Sequence, residues 1–205
     1  MHLEILDKNR IEILPKLKIF KDRFYLAGGT ALALYIGHRQ SIDFDFFINA
    51  DFDEEKLRVE VEEIFKDDNL KIVQLEKNTL TLILNEDIKI SFFGYKYEML
   101  EPLKEEEHFK MASMRDITCM KMSAVCGRST NKDYIDIFFL LNIFSLKDIL
   151  KASSVKFPSL DTSVILKSLV YFNEIEMDPI MMMAGFEKDF EVIKKKIMEE
   201  VKNCV

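Results

Sequence analysis

One stretch restricts what this chain can fold into more than any other: Leu26-Ala-Gly-Gly-Thr-Ala-Leu-Ala-Leu-Tyr-Ile-Gly-His-Arg-Gln-Ser-Ile-Asp-Phe-Asp-Phe-Phe47. The apolar run Phe24 to Ala27 reads as a short buried strand entering a tight turn at Gly28-Gly29. Thr30 to Ile36 is built from good helix formers and stops at Gly37. Ile42 to Ile48 then alternates aspartate with phenylalanine, which predicts a strand with one wet and one apolar face. A strand, a glycine turn, a helix and a second strand in so few residues demand a sheet backed by helices.

The same stretch carries chemistry. Glycines let backbone pass close to a ligand, and the free N–H groups at a helix N-terminus favour phosphate oxygens. Asp43 and Asp45 are two apart on a strand, so both carboxylates point to one face and can grip one divalent ion. A Gly-Gly pair alone is usually just a turn, and Asp-x-Asp alone is usually the solvent face of a strand. Joined by one helix, they predict a nucleotide–magnesium site. The net charge of −7, from 29 Lys+Arg and 36 Asp+Glu, means that any polyanionic substrate meets a local basic site rather than a basic surface.

Elsewhere the pattern predicts helices over 9–20, with Pro15 placed to shorten or kink the first, and over 53–66. Three strands follow over 70–76, 79–84 and 87–94, with bends at Asn78 and Asn85-Glu86. The acidic segment 101–109 reads as a solvated loop. Helices are expected over about 116–127, 132–144, 161–176 and 186–202, the first capped by Asp116. The expected fold class is α+β, an N-terminal mixed sheet with flanking helices over 1–100 and a helical bundle over 101–205. Three sparse cysteines, Cys119, Cys126 and Cys204, predict reduced thiols. With no apolar run of signal-peptide or membrane-span length, the chain reads as cytoplasmic with no membrane partner.

A second segment runs from Asp116 to Leu141. Lys121 and Arg128 are seven apart and share a helical face; Lys132, Asp133 and Asp136 open the next helix. Interhelical salt bridges, Arg128 to Asp133 or Lys121 to Asp136, are one reading of this spacing. A cleft that binds phosphates is the other. Lys121, set between Met120 and Met122, is either snorkelling or aimed into a cleft.

Together the two segments resemble the AbiEii-type abortive-infection toxins, within the DNA polymerase β-like nucleotidyltransferase superfamily. The resemblance rests on Ala27-Gly28-Gly29-Thr30, on Gly37-His38-Arg39-x-Ser41-x-Asp43-x-Asp45-x-Phe47, and on Asp116 to Lys121 followed by Arg128-x-x-x-Lys132-Asp133-x-x-Asp136, and covers about residues 20–145. It implies that Gly28, Gly29 and Thr30 hold a nucleoside triphosphate, that Ser41 orients it, and that Asp43 and Asp45 ligate Mg²⁺. It implies that Lys121 faces the phosphates, with Arg128 and Lys132 near a nucleotide or RNA end. Asp133 or Asp136 completes the polar cleft, and Arg39 is either part of the site or a pin for the loop. A toxin role implies a cognate antitoxin, and an RNA (such as tRNA) or protein acceptor.

One position departs from that pattern. Such enzymes usually place a third carboxylate on a later strand facing the first two, and the matching position here is Ser91. Three substitutes are open: Asp87, Asp133 or Asp136. The alternatives to a transferase are a nucleotide-binding module without turnover and a transferase acting on a small cationic molecule.

Overall fold

In a computed structural model, which describes residues 1–204, a 3-10 turn (Leu3–Ile5) leads into α1 (Lys8–Leu17). Pro15 sits inside α1, and a 3-10 turn (Lys18–Phe20) finishes it. β1 (Tyr25–Ala27), α2 (Gly28–Ile36) and β2 (Asp43–Ile48) follow. Then come α3 (Glu54–Ile64) and the meander β3 (Leu70–Glu76), β4 (Thr79–Leu84) and β5 (Ile88–Gly94). Its bends fall at Asn78, Asn85 and Glu86, all with positive φ, which asparagine tolerates better than most residues. The remaining elements are β6 (Lys104–Glu105), β7 (Lys110–Met111), α4 (Met114–Gly127), α5 (Asn131–Leu140), α6 (Leu146–Lys156), α7 (Thr162–Leu169) and α8 (Phe190–Cys204).

All seven strands form one mixed sheet in the order β3-β4-β5-β2-β1-β7-β6. The fold is α+β, with α1 to α3 interleaved with the strands and α4 to α8 following them in the C-terminal half. The alternation in β2 and β5 sorts their side chains. Phe44, Phe46, Ile88, Ile90 and Phe92 are buried on one face, under Ile13, Leu14 and Leu17 of α1 and Leu57 and Val61 of α3. Phe92 meets Phe20, Phe24 and Phe46 at centroid distances of 4.9, 5.1 and 5.5 Å. That apolar face fixes the register, because a one-residue slip would turn these phenylalanines outward. The opposite face of β2 therefore presents Asp43, Asp45 and Phe47.

Several elements differ from the sequence reading. The acidic 101–109 segment contributes β6 and β7, and β7 pairs parallel with β1. Lys21 anchors this segment, pairing with Glu105 at 3.2 Å. Helix α4 starts at Met114 because Ser113, not Asp116, caps it: the Ser113 hydroxyl accepts the Asp116 N–H at 3.0 Å. Asp116 is instead fully buried and paired with the equally buried Lys156 at 2.7 Å. Its carboxylate also accepts the Leu100 N–H at 2.9 Å. Helix α6 falls between the helices expected over 132–144 and 161–176, where the sequence reading assigns no element. Helix α7 ends at Leu169, where the Tyr134 hydroxyl donates to the Ser168 and Tyr171 carbonyls at 2.9 and 3.1 Å and satisfies groups left free by the helix end.

Residues 176–183 form an extended strap across the two segments singled out above. The Asn131 and Met183 N–H groups donate to the Glu176 and His38 carbonyls, both at 3.0 Å, and Gln40 donates to the Met181 carbonyl at 2.8 Å. Cys119 is buried, Cys126 and Cys204 are half-buried, and all three are free thiols. No helix among the described residues is long and apolar enough to cross a membrane.

Candidate functional site

The site starts where β1 becomes α2. Gly28 adopts φ +70°, and a β-carbon there would stand 3.0 Å from Asp45 Oδ2. A β-carbon on Gly29 would stand 2.6 Å from an Arg39 guanidinium nitrogen. The backbone is bare at both positions because a carboxylate and a guanidinium pack against it. Side chains cap α1, α3, α4, α6 and α7, through Asp7, Asp53, Ser113, Ser145 and Asp161. The N-terminus of α2, like that of α5, has no side-chain cap. Its N–H groups are available to an anion beside Asp45.

Gly28→Ala is expected to cost about 1–3 kcal/mol, the usual strain of a left-handed residue, and to displace Asp45. Gly127→Ala is the control: nothing lies within 4 Å of its added β-carbon. It is expected to be neutral or slightly stabilising in urea denaturation.

Thr30 and Ser41 tie the turn to β2. Their hydroxyls are bonded at 2.7 Å, and Thr30 donates to the Asp43 carbonyl. Both are buried, so they brace the site from below. Across the parallel pair, Asp43 stands opposite Lys89 and Asp45 opposite Ser91; across the antiparallel pair, Asp45 stands opposite Ala27. Burial pushes the Asp45 carboxyl above its ordinary range, and Asp43 adds to this by repulsion. Lys89, Lys121 and Arg128 offset part of the effect. Asp45, with Asp43 beside it on the same face, is thus an undercompensated carboxylate that a cation would stabilise.

Asp133 and Asp136 are the reverse case. Asp136 is fully buried and accepts from Arg39 at 2.8 and 3.0 Å, is bonded to His38 Nε2 at 2.7 Å and pairs with Lys121 at 2.6 Å. Asp133 pairs with Lys121 at 3.0 Å and Arg128 at 3.0 Å and accepts from the Thr130 hydroxyl at 3.1 Å. Burial alone would raise both carboxyls. Arg39 and Lys121 hold Asp136 well below the usual carboxylate range, and Lys121 and Arg128 hold Asp133 below it. Both salt bridges that the spacing allowed are therefore made. His38 and Arg39 pin the loop before β2 to α5, and His38 Nδ1 is buried with no partner among the described residues. Three cations, Arg39, Lys121 and Arg128, against two carboxylates leave this network one positive charge toward Asp45. The Arg128 side chain is 64% exposed and open to a ligand. Lys132 is turned to Asp178 at 3.1 Å.

None of the three substitutes for the missing carboxylate is free. Arg10 holds the Asp87 carboxylate at 3.2 Å and its carbonyl at 2.7 Å, and Asp133 and Asp136 are committed as described. Ser91 is fully buried and accepts a 3.4 Å bond from Thr81. Among the described residues no group of three or more His, Cys, Asp or Glu could hold a metal ion. The pair Asp43 and Asp45 still fits Mg²⁺, which takes one or two carboxylates and completes its shell with substrate phosphates and water. Sequence reasoning missed Lys89 as the neighbour of Asp43, although alternation in β5 already places it on that face. It also missed the strap, which has no periodic signal.

Comparison with known proteins agrees with this architecture. A family model described as "Nucleotidyl transferase AbiEii toxin, Type IV TA system" matches residues 13–203. An uncharacterized protein of Aquifex aeolicus is 36% identical over 203 residues, covering 96% of either chain. Among solved structures, JHP933 from Helicobacter pylori is similar with a TM-score of 0.57 at 16% identity, covering 99% of this chain and 90% of that one. MenT4, a nucleotidyltransferase toxin from Mycobacterium tuberculosis, is similar with a TM-score of 0.57 at 14% identity, covering 94% and 82%. At such identities these two structures speak to the fold alone.

Proposed function

The chain belongs to the AbiEii nucleotidyl transferase toxin family, and from that premise we propose that it is a magnesium-dependent nucleotidyltransferase, the toxin of a toxin–antitoxin pair. It moves a nucleotide from a nucleoside triphosphate to a hydroxyl of an RNA or protein acceptor. The observation that carries this reading is the undercompensated Asp45 with Asp43 on the same strand face, set against the uncapped N-terminus of α2.

The residues divide the work. Backbone N–H groups at Gly28 and Gly29 hold the phosphates, with the helix end favouring their charge. Asp43 and Asp45 hold the metal, which when bound neutralises phosphate charge and orients the α-phosphate. Arg128, exposed and already felt at Asp45, meets the departing phosphates. Lys121 supplies field from its buried position, and Arg39 keeps the loop and the Gly29 turn in register. The acceptor oxygen bonds to the α-phosphorus while the bond from that phosphorus to the bridging oxygen breaks. The electron pair leaves with pyrophosphate, and the acceptor proton goes to solvent, since Ser91 offers no carboxylate to take it.

The test is to incubate the purified chain with each labelled triphosphate, Mg²⁺ and total RNA or lysate. Label in a macromolecule, lost in the Asp43→Ala, Asp45→Ala double variant, is the expected result. No transfer of label under any condition contradicts it.

Ser91 favours a second reading, a module that binds nucleotide without turnover. Calorimetry separates the two: Mg²⁺-dependent binding with no transfer supports the module, and binding with transfer supports the enzyme. Ser91→Asp checks the geometry common to both. A third carboxylate beside Asp45 is expected to lower the melting temperature in EDTA by several degrees, and millimolar Mg²⁺ should recover it. A loss that Mg²⁺ leaves unchanged would mean that position 91 does not face the metal.

A further inference from the structure

β2 lies between β1 and β5, and its two neighbours bring different chemistry to its acidic face. β1 runs antiparallel with Ala27 beside Asp45, so the Gly28-Gly29 turn follows at the Asp43 end of the pair. β5 runs parallel and sets Lys89 beside Asp43 and Ser91 beside Asp45. Neighbouring strands lie about 5 Å apart, and residues paired across them share a face. Lys89 is therefore a cation next to the acidic pair, on the flank away from the glycine turn. Lys121, Lys132 and Lys156 each pair with an aspartate. Lys89 is exposed and forms no ion pair among the described residues. Of the three cations that oppose the upward push on the Asp45 carboxyl, Lys89 acts most strongly.

Position 91 is where a third carboxylate would help seat a second divalent ion. Ser91 is neutral and fully buried, and its oxygen already accepts the Thr81 hydroxyl at 3.4 Å. Asp87, Asp133 and Asp136 are held by Arg10, Lys121 and Arg39. The donors at hand suit one hard cation: Asp43 and Asp45, completed by phosphate oxygens and water. The charge balance is nevertheless that of a two-ion site. A third carboxylate with a second divalent ion adds one net positive charge, and Ser91 with Lys89 adds the same. Position agrees with charge. In phosphoryl-type transfer the attacking and leaving oxygens lie roughly in line through the phosphorus. With the triphosphate tail on the glycine turn, beside β1, the attacking oxygen arrives from the β5 flank, where Lys89 stands.

We propose that this chain works with a single divalent ion, and that the Lys89 ammonium takes the place of a second by holding the attacking oxygen of the acceptor. This deepens the transferase reading and rests on it. The acceptor oxygen bonds to the α-phosphorus, and the bond from that phosphorus to the bridging oxygen breaks. The electron pair leaves with pyrophosphate, and the acceptor proton goes to solvent. Lys89 keeps its own protons throughout and donates a hydrogen bond to the attacking oxygen. Three donors and a point charge on a flexible stem suit an oxygen that moves during the step.

The probe is Mn²⁺ in place of Mg²⁺, with an α,β-methylene triphosphate that cannot be cleaved, read by electron paramagnetic resonance on the full chain. Paired ions of a two-metal site lie about 3.5–4 Å apart, close enough to couple magnetically. The wild-type chain should show a single uncoupled Mn²⁺, and Ser91→Asp a coupled pair. With a labelled, cleavable triphosphate, Lys89→Met is expected to lower transfer by about 10²–10³-fold. Its melting temperature and its binding of the methylene analogue should stay near those of the wild type. Lys89→Arg, which keeps the charge, should recover most of the transfer. Ser91→Asp combined with Lys89→Met should regain it through the second ion. A coupled pair in the wild type overturns the proposal, as does a Lys89→Met chain that transfers as fast as the wild type, and both leave the transferase standing. No transfer by any chain overturns the transferase reading and the part of Lys89 in it. The ion count is read without turnover, so the resonance signal decides it in either case.

Discussion

Asp136→Ala is expected to destabilise the chain by about 3–5 kcal/mol, because it strands buried cations rather than removing a surface pair. Asp136 is fully buried, the Arg39 and Lys121 side chains are 5% and 6% exposed, and each loses a bond of 3.0 Å or less. Against a total stability of about 5–15 kcal/mol that loss decides whether the chain folds in a cell. For a chain of this size it corresponds to a melting temperature about 6–20 °C lower. Differential scanning calorimetry checks it. The pH dependence follows with its sign. The folded-state values of Asp133 and Asp136 lie below the unfolded value, so their contribution is fully present above that value, near 3.9. It is lost as the pH falls through the lower folded values. Wild-type melting temperature should therefore fall steeply below about pH 4, and the fall should be shallower in Asp136→Asn.

Asp45→Asn is expected to do the opposite to stability and far more to activity. Burial and Asp43 disfavour its charged form in the fold, so removing the charge should leave the melting temperature in EDTA no lower than the wild type's, and raise it. Transfer should fall by about 10²–10³-fold or more, the scale on which one preorganised electrostatic contact acts. Mg²⁺ should stabilise the wild type and not the variant. The pair of variants thus separates two kinds of aspartate in one short sequence. A residue that holds the fold loses stability first, and a residue that holds a ligand loses activity while the fold gains. An Asp45→Asn variant that melted well below the wild type would place Asp45 with Asp136 instead.

Much of this was legible before any coordinates. Alternation in Ile42 to Ile48 put Asp43 and Asp45 on one face, and the same rule in β5 put Ser91 at the position facing them, because the period of a strand is local and strict. The bends at Asn78 and Asn85-Glu86 were local too, written in asparagines, which accept positive φ. What pattern could not supply was the partner of each charge. Lys121, Arg128, Asp133 and Asp136 have the spacing of a cleft and of a salt-bridge cluster alike, and only the packing of α4 on α5 and on the His38-Arg39 loop distinguishes them. Asp116 was misread for the same reason: it sits where a cap would, but its partner Lys156 is forty residues away. The 176–183 strap is held by backbone bonds to distant loops, and no side-chain period records such bonds.

The most direct measurement follows the phosphorus. The purified chain is given Mg²⁺, the acceptor fraction and one triphosphate, labelled either at the α- or at the γ-phosphate. Transfer of a nucleotide at Asp43 and Asp45 predicts that α-label enters the acceptor while γ-label appears only as pyrophosphate. EDTA or Asp45→Asn should abolish both. Acceptor that gains γ-label, or α-label that persists in Asp45→Asn, would contradict the assignment of this site to nucleotidyl transfer.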